Sequence, residues 1–452
     1  MADGTTGTKA ASRREMWAAL PSHGRRELLS VLVATGGSFI GNSIHIVASA
    51  LLAIELSGSA ASVPLIALIG TLPPLLLVTP VRRCVRRYGG RKVLVSIDVL
   101  STCLIATLPL LSLVGAVQLW QVYALELLTA CCSAFYMPAS RDWTSDIGGD
   151  ESSLRYVNSA LGSVMQVASV VGWGLAGVLV SALTPVGAIA VNAATFALSS
   201  LVQWWGFRGT GKRRDRGTPA PHETSDGPTD PTPPQNPQKP LSLLVLLRSV
   251  FDRSPAGRLA QALVVVVMTQ RLQFSLFVVF LTFAIHVPES AIGVTNAVYS
   301  VGAAVGGALV AGGRSGDVLR RHPTAGIALF FAALAAFALS TTVMIAIPLY
   351  AVLGVLSASV VVLQTLLQDA RRVTGGGDTF AALGAVQALV NMVALAALGL
   401  LLVVLPVRSV YLIVVAVCAV VTLSLLRRNG SRPYGTAAPR TAATEGAPGG
   451  GA

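Results

Sequence analysis

The sequence predicts an all-α membrane protein of twelve transmembrane helices arranged as two six-helix halves. Three observations predict it. The chain of 452 residues is 53% hydrophobic and only 12% charged, where an ordinary soluble domain carries about 25% charged residues. Its mean hydropathy of +0.69 makes lipid the solvent that its surface suits. The apolar residues are gathered into long runs, and the basic residues between them fall almost wholly on one side.

A bilayer-spanning helix needs roughly 20 apolar residues. Twelve runs meet the need, at 28–54, 60–81, 93–115, 118–138, 156–181, 186–206, 258–286, 290–313, 325–345, 347–368, 381–404 and 409–426. Thr184-Pro185, Val287-Pro288, Ile347-Pro348 and Leu405-Pro406 mark turns between neighbours.

Sorting the connections alternately puts Arg13, Arg14, Arg25, Arg26, the 82–92 cluster, Arg141, Arg155, the 208–258 stretch, Arg314, Arg320, Arg321, Arg371, Arg372 and the tail on one side. Arg408 stands alone on the other, and Arg271 lies inside a run. The positive-inside rule then places both termini and the long central connection in the cytoplasm of a cell-membrane protein. A net charge of +13 spread through short connections sets orientation, which excludes nucleic acid as a partner. Of the 33 basic residues, all but Lys9, Lys92, Lys212 and Lys239 are Arg.

The chain divides into an N-terminal cytoplasmic segment (1–27), a first half (28–207), a cytoplasmic linker (208–257), a second half (258–427) and a disordered cytoplasmic tail (428–452). Residues 208–240, rich in Pro, Thr and Asp, have no hydrophobic period, as in a disordered linker. Leu241–Asp252 reads as a helix on the inner membrane surface. No cleavable signal peptide is expected in the polar stretch Met1 to Arg26. The five cysteines, Cys84, Cys103, Cys131, Cys132 and Cys418, have neither metal-ligand nor disulfide-framework spacing. Gly209-Thr210-Gly211-Lys212 is followed by Arg213 and makes no phosphate-binding loop, and HExxH and GxSxG are absent. No enzyme, cofactor or metal is expected.

Ionisable groups inside a membrane are costly and so are functional candidates. The first run carries Ser38, Asn42, His45 and Ser49 along one face; the fourth carries Tyr123, Glu126, Thr129 and Ser133. The seventh carries Gln270, Arg271, Gln273 and Ser275, and the tenth Ser357, Gln364 and Gln368. Asn42, His45, Glu126 and Arg271 fall near the bilayer midplane at about 1.5 Å per residue. Alternative readings stay open at this point: Glu126 and Arg271 as a static buried pair, His45 as a neutral packing residue, Asn42 as a bridge between helices. Asp98 reads as a latch to the nearby basic cluster. The connections after the second and eighth runs, Pro80 to Lys92 and Gly312 to His322, are both short and basic, as a duplicated architecture would have them.

From about residue 28 to 428 the chain resembles the major facilitator superfamily, in its bacterial enterobactin-exporter-like and macrolide-efflux-like branch. The resemblance rests on Phe135-Tyr136-Met137-Pro138-Ala139 after the fourth helix and on Phe380 to Asn391, with Gly384 and Gln387, opening the eleventh. The family's motif after helix 2 keeps its basic end as Arg87-Tyr88-Gly89-Gly90-Arg91-Lys92, but Arg82 and Arg86 stand where it has Gly and Asp. The second copy keeps the pattern as Gly313 to Asp317 followed by Arg320 and Arg321. The helix-5 motif survives as Gly172, Gly174 and Gly177, with Trp173 in place of Pro; the helix-4 Arg motif is missing.

The resemblance implies a fold in which helices 1, 4, 7 and 10 line a central cavity. It implies a monomeric secondary transporter driven by an ion gradient, with a small-molecule substrate and the lipid bilayer as partners. The expected activity is proton-coupled efflux of a small amphiphile, such as an antibiotic, siderophore or other secondary metabolite, by alternating access. Glu126 is expected to carry the proton with His45 second, and Arg271 to meet an anionic group. An importer of a sugar or organic anion is one alternative. A non-transporting scaffold or receptor is another, against which the polar stripes speak.

Overall fold

A computed structural model describes residues 22–148, 151–208, 251–252, 254–311, 314–374 and 379–427. The tail, residues 1–21, Gly313 and nearly all of the linker, including its expected surface helix up to residue 250, lie outside the described residues.

Nine helices among the described residues are long and apolar enough to cross a membrane, or ten when Ser62–Leu76 and Val78–Tyr88, bent by 60°, are joined. Two features reconcile that count with twelve runs. The stretch Tyr156–Phe207 has 52 residues, well over the ~20 that one crossing needs. It breaks at Thr184 (φ 67°, ψ 163°). Positive φ is costly for a β-branched residue, and the extended ψ is what a following proline demands. Pro323–Leu339 is apolar but only 17 residues long.

The spans are therefore span 1, Ser22–Ser57; span 2, Ser62–Leu76; span 3, Gly90–Val114; span 4, Leu119–Gly148; span 5, 151–183; and span 6, 185–207. In the second half, span 7 is Pro255–Phe280, prolonged by the π-helical turn Leu281–Ile285, and span 8 is Glu289–Ala311. Span 9 is Pro323–Leu339; span 10 joins Val343–Leu356 to Ala358–Thr374; span 11 is Thr379–Val404 and span 12 Val407–Arg427. The side from which span 1 starts is called here the terminal side.

The structure corrects several boundaries. The basic cluster after span 2 is a helix, Val78–Tyr88, rather than a loop. It buries Val81 and Val85 and leaves Arg82, Arg83, Arg86 and Arg87 exposed, an amphipathic pattern that suits a membrane surface. Span 4 runs on past Pro138 to Gly148, so Arg141 is helical. Ile347-Pro348 marks no turn: the chain turns at Ser340–Thr342, and Pro348 lies inside the helix Val343–Leu356. Arg408, the lone basic residue of the far side, donates to the carbonyl of Ser340 at 2.8 Å, satisfying an orphan group at the end of span 9.

The halves meet where side chains vanish. A Cβ on Gly177 of span 5 would lie 2.6 Å from the Cα of Gly293 on span 8, so the two backbones touch. One turn away, Gly174 faces Ala297. Gly172, by contrast, packs within its own half against Ser43 and Ile40 of span 1. Trp173 reaches Phe274 of span 7 edge-on, with ring centroids 4.6 Å apart. The glycine contact lies near the end of span 5 and the start of span 8, on the far side. There, too, a Cβ on Gly399 of span 11 would lie 3.9 Å from the Cβ of Pro64 on span 2.

Candidate functional site

A cavity of about 600 Å³ lies between the halves. Its wall is largely apolar: Ile46 and Ala50 from span 1, Ile66, Ala67 and Pro74 from span 2, Val267, Met268 and Phe274 from span 7. Polar groups converge on it from both halves, with Glu126 and Thr71 on one side and Arg271, Ser275, Gln387 and Asn391 on the other. An apolar pocket with a few placed polar groups is the usual form of a small-molecule site. The wall descends along span 2 to Leu75 and along span 11 to Gly384, toward the terminal side, while the glycine contacts close the far side.

The cavity differs from the expected one in its walls. Spans 2 and 11 replace span 10, because they cross from half to half at Pro64 and Gly399. Span 10 instead packs inside its own half, where Gly302 and Gly306 of span 8 sit against Ala351 and Val355. Gln364 is exposed away from the cavity. Gln273 is buried, and its Nε2 donates to the Tyr350 hydroxyl at 3.3 Å, a bond within the second half. Asn42, Tyr123 and Gln270 are half-buried and off the wall.

Glu126 and Arg271 share this cavity but form no ion pair, so the expected alternative of a static bridge between them fails. The carboxylate's partner is in its own half: His45 Nε2 lies 3.0 Å from Glu126 Oε1. The same nitrogen is 3.2 Å from Ser49 Oγ. His45 Nδ1 is buried with no hydrogen-bond partner. Glu126 Oε1 is likewise buried with no partner in hydrogen-bonding geometry, so ring and carboxylate meet as a close contact. Arg271 is exposed on the cavity wall, and no ion pair to it is found among the described residues.

Conserving helix packing at the terminal end of the first half falls to a second polar group, most of which sequence reasoning missed. Arg91 Nε donates to Glu27 Oε2 at 2.9 Å, and the same oxygen accepts from Trp143 Nε1 at 3.2 Å. Arg91 also approaches Asp146 at 3.7 Å. Gly90 donates its N–H to Asp142 Oδ2 at 2.7 Å, and a Cβ there would lie 2.8 Å from the backbone nitrogen of Trp143. With Arg86 in the usual acidic position, the cluster thus ties spans 1, 3 and 4 of one half together. Arg87 stacks over Tyr88 on the surface. In the second half, Asp317, Arg320 and Arg321 are exposed on a short helix, Arg314–Arg321. Asp98 does not reach the basic cluster; it accepts from Gln203 Nε2 of span 6 at 2.7 Å. The one signal for Glu27 was an acid set among Arg25, Arg26 and an apolar run.

A model of the Major Facilitator Superfamily matches residues 31–371. The multidrug efflux pump Tap of Mycolicibacterium fortuitum is 31% identical over 182 residues, 39% of this chain and 44% of that pump. The match thus spans less than half of the pump's length. Among solved structures, a bacterial homologue of the human lysosomal transporter Spinster, inward-facing and unoccupied, superposes with a TM-score of 0.62 at 15% identity, over 91% of this chain and 96% of that one. The nucleoside transporter NupG does so with a TM-score of 0.61 at 10% identity, over 89% and 98%. At these identities the structures share the fold alone.

Proposed function

The chain belongs to the Major Facilitator Superfamily, a transporter family rather than an enzyme family, and on that premise we propose that it exports a small amphiphilic molecule in exchange for protons. Members of the family bind small-molecule substrates and sit in lipid. The observation that carries the reading is the cavity itself: an apolar chamber with a titratable His45–Glu126 pair on one half and the unpaired Arg271 on the other. A transporter site at the interface of two repeats is reached alternately from each side as the halves rock. A proton added to Glu126 cancels its charge and loosens its hold on His45; losing that proton restores both. Arg271 attracts the anionic group of a zwitterionic or acidic amphiphile while the apolar wall takes the rest. The efflux pump similar to part of this chain supports the outward direction.

The Arg asymmetry of the sequence supports termini in the cytoplasm of a cell-membrane protein. With the terminal side cytoplasmic, the arrangement described above is inward-facing, ready to load from the cell interior.

The test uses everted membrane vesicles with an imposed proton gradient and three fluorescent amphiphiles: ethidium, norfloxacin and fluorescein. Exchange predicts that at least one probe collapses the gradient in the wild type and that none does in Glu126→Gln. Uptake of sugars or organic anions into right-side-out vesicles, with no response to the amphiphiles, would favour import instead.

A further inference from the structure

Asp98 of span 3 is 4% exposed and Gln203 of span 6 is 2% exposed. The amide Nε2 of Gln203 donates to Asp98 Oδ2 at 2.7 Å. Among the described residues no Arg, Lys or His forms an ion pair with Asp98. Arg91 is engaged by Glu27 and Asp146, and Lys92 is exposed. From span 4, Tyr136 is close enough to feel a charge on Asp98, and its hydroxyl is shared with Thr35 of span 1 at 2.9 Å. None of these neighbours brings a positive charge. An ionised carboxylate would therefore sit uncompensated inside a membrane-spanning bundle, the arrangement that costs most.

A second observation concerns the amide. Gln203 Oε1 is buried and has no hydrogen-bond partner. A carboxylate only accepts hydrogen bonds, so it can do nothing for that oxygen. A protonated carboxyl both accepts and donates. It takes the Nε2–H on one oxygen and offers its own O–H to Oε1 of the same amide, and the reciprocal pair leaves neither group orphaned.

We propose that Asp98 and Gln203 form a proton-binding site in the first half, distinct from the His45–Glu126 pair, in which Asp98 is held as a neutral carboxyl. The site ties span 3 to span 6, and its proton is bound whether or not the cavity is loaded. The inference stands on this geometry and not on the direction or substrate of transport.

Infrared spectroscopy of the purified full-length protein in lipid at neutral pH tests it, in the carbonyl-stretch region of protonated carboxyls. The expected band is present in the wild type, persists in Glu126→Gln and is lost in Asp98→Asn, whose side chain keeps the shape of the neutral acid. A wild type without such a band, or a band untouched by Asp98→Asn, would overturn the proposal. If Asp98→Asn fails to accumulate, the Glu126→Gln protein carries the test: adding Gln203→Leu should shift the remaining band, because the acceptor of its proton is gone. An unshifted band would be equally fatal.

Discussion

The first half of the molecule is held by buried polar chemistry and the second by aromatic packing. Spans 1 to 6 contain the Glu27–Arg91–Trp143 cluster, the Asp98–Gln203 pair and the His45–Glu126 pair. A Ser38–Ser199 bond at 2.8 Å and the Thr35–Tyr136 bond add to them. In the second half, Phe277 stacks on Tyr350 with centroids 4.5 Å apart, and Phe337 packs on Phe280, Tyr350 and Tyr411 at 5.3, 4.8 and 5.9 Å. Arg271 is this half's only formal charge on the cavity wall. The difference is one of chemistry: among the described residues the buried Glu27, His45 and Asp98 all lie in the first half, while the second offers an aromatic wall with Arg271 on the cavity. In lipid, apolar packing cannot draw on the hydrophobic effect, so aromatic dispersion and close fit must hold the second half.

Five variants break or sharpen that contrast. Glu126→Gln removes the titratable group of the cavity and should lower proton-coupled exchange at least tenfold, with normal protein in the membrane. Because Arg271 is not its partner, Glu126→Gln with Arg271→Gln should be no more active than Glu126→Gln alone; rescue by the double change would restore the idea of a bridge. Gly177→Val puts branched carbon into a contact with no room for a Cβ, so far-side closure should fail. Transport should fall severalfold, and a cysteine placed at Ala297 should become more reactive to an impermeant thiol reagent. Unchanged labelling would mean that the halves close elsewhere.

Phe337→Ala tests the aromatic half. Its cost should approach the ~3–5 kcal/mol typical of emptying a buried aromatic site, read as a lower thermal midpoint in detergent. Transport at low temperature should survive, because no aromatic of this cluster holds a proton. Arg408→Gln is the mildest. It weakens one hydrogen bond to Ser340, worth about 1 kcal/mol, and should shift the thermal midpoint by a few degrees without altering exchange.

How much of this was legible beforehand depends on the distance over which a residue declares its role. Span existence and the break at Thr184 were readable because hydropathy and an X-Pro step are local. Glu126, His45 and Arg271 were readable because a charge in an apolar run stands out wherever its partner is. Their pairing was not: nothing in the spacing says that the carboxylate meets span 1 rather than span 7. Asp98 was found but misassigned, since its nearest charges in sequence are not its neighbours in space; its partner is Gln203 of span 6. Span 10 was given to the cavity on the family's pattern, whereas Gly302, Gly306 and Gly354 draw it against span 8. Arg141 was placed in a connection, whereas span 4 continues through it to Gly148 and brings Asp142 to the N–H of Gly90.

The meeting of Gly177 and Gly293 has a kinetic consequence. Two faces without side chains have no rotamers to reset and no knobs to withdraw from holes. Parting them forfeits only the weak dispersion between backbones, and rejoining them requires no search for a fit. A seam of interlocked leucines would hold more firmly but would have to be repacked at every turnover. A bare seam can open and shut as fast as the surrounding bundle swings, so the bundle and not the seam sets the pace.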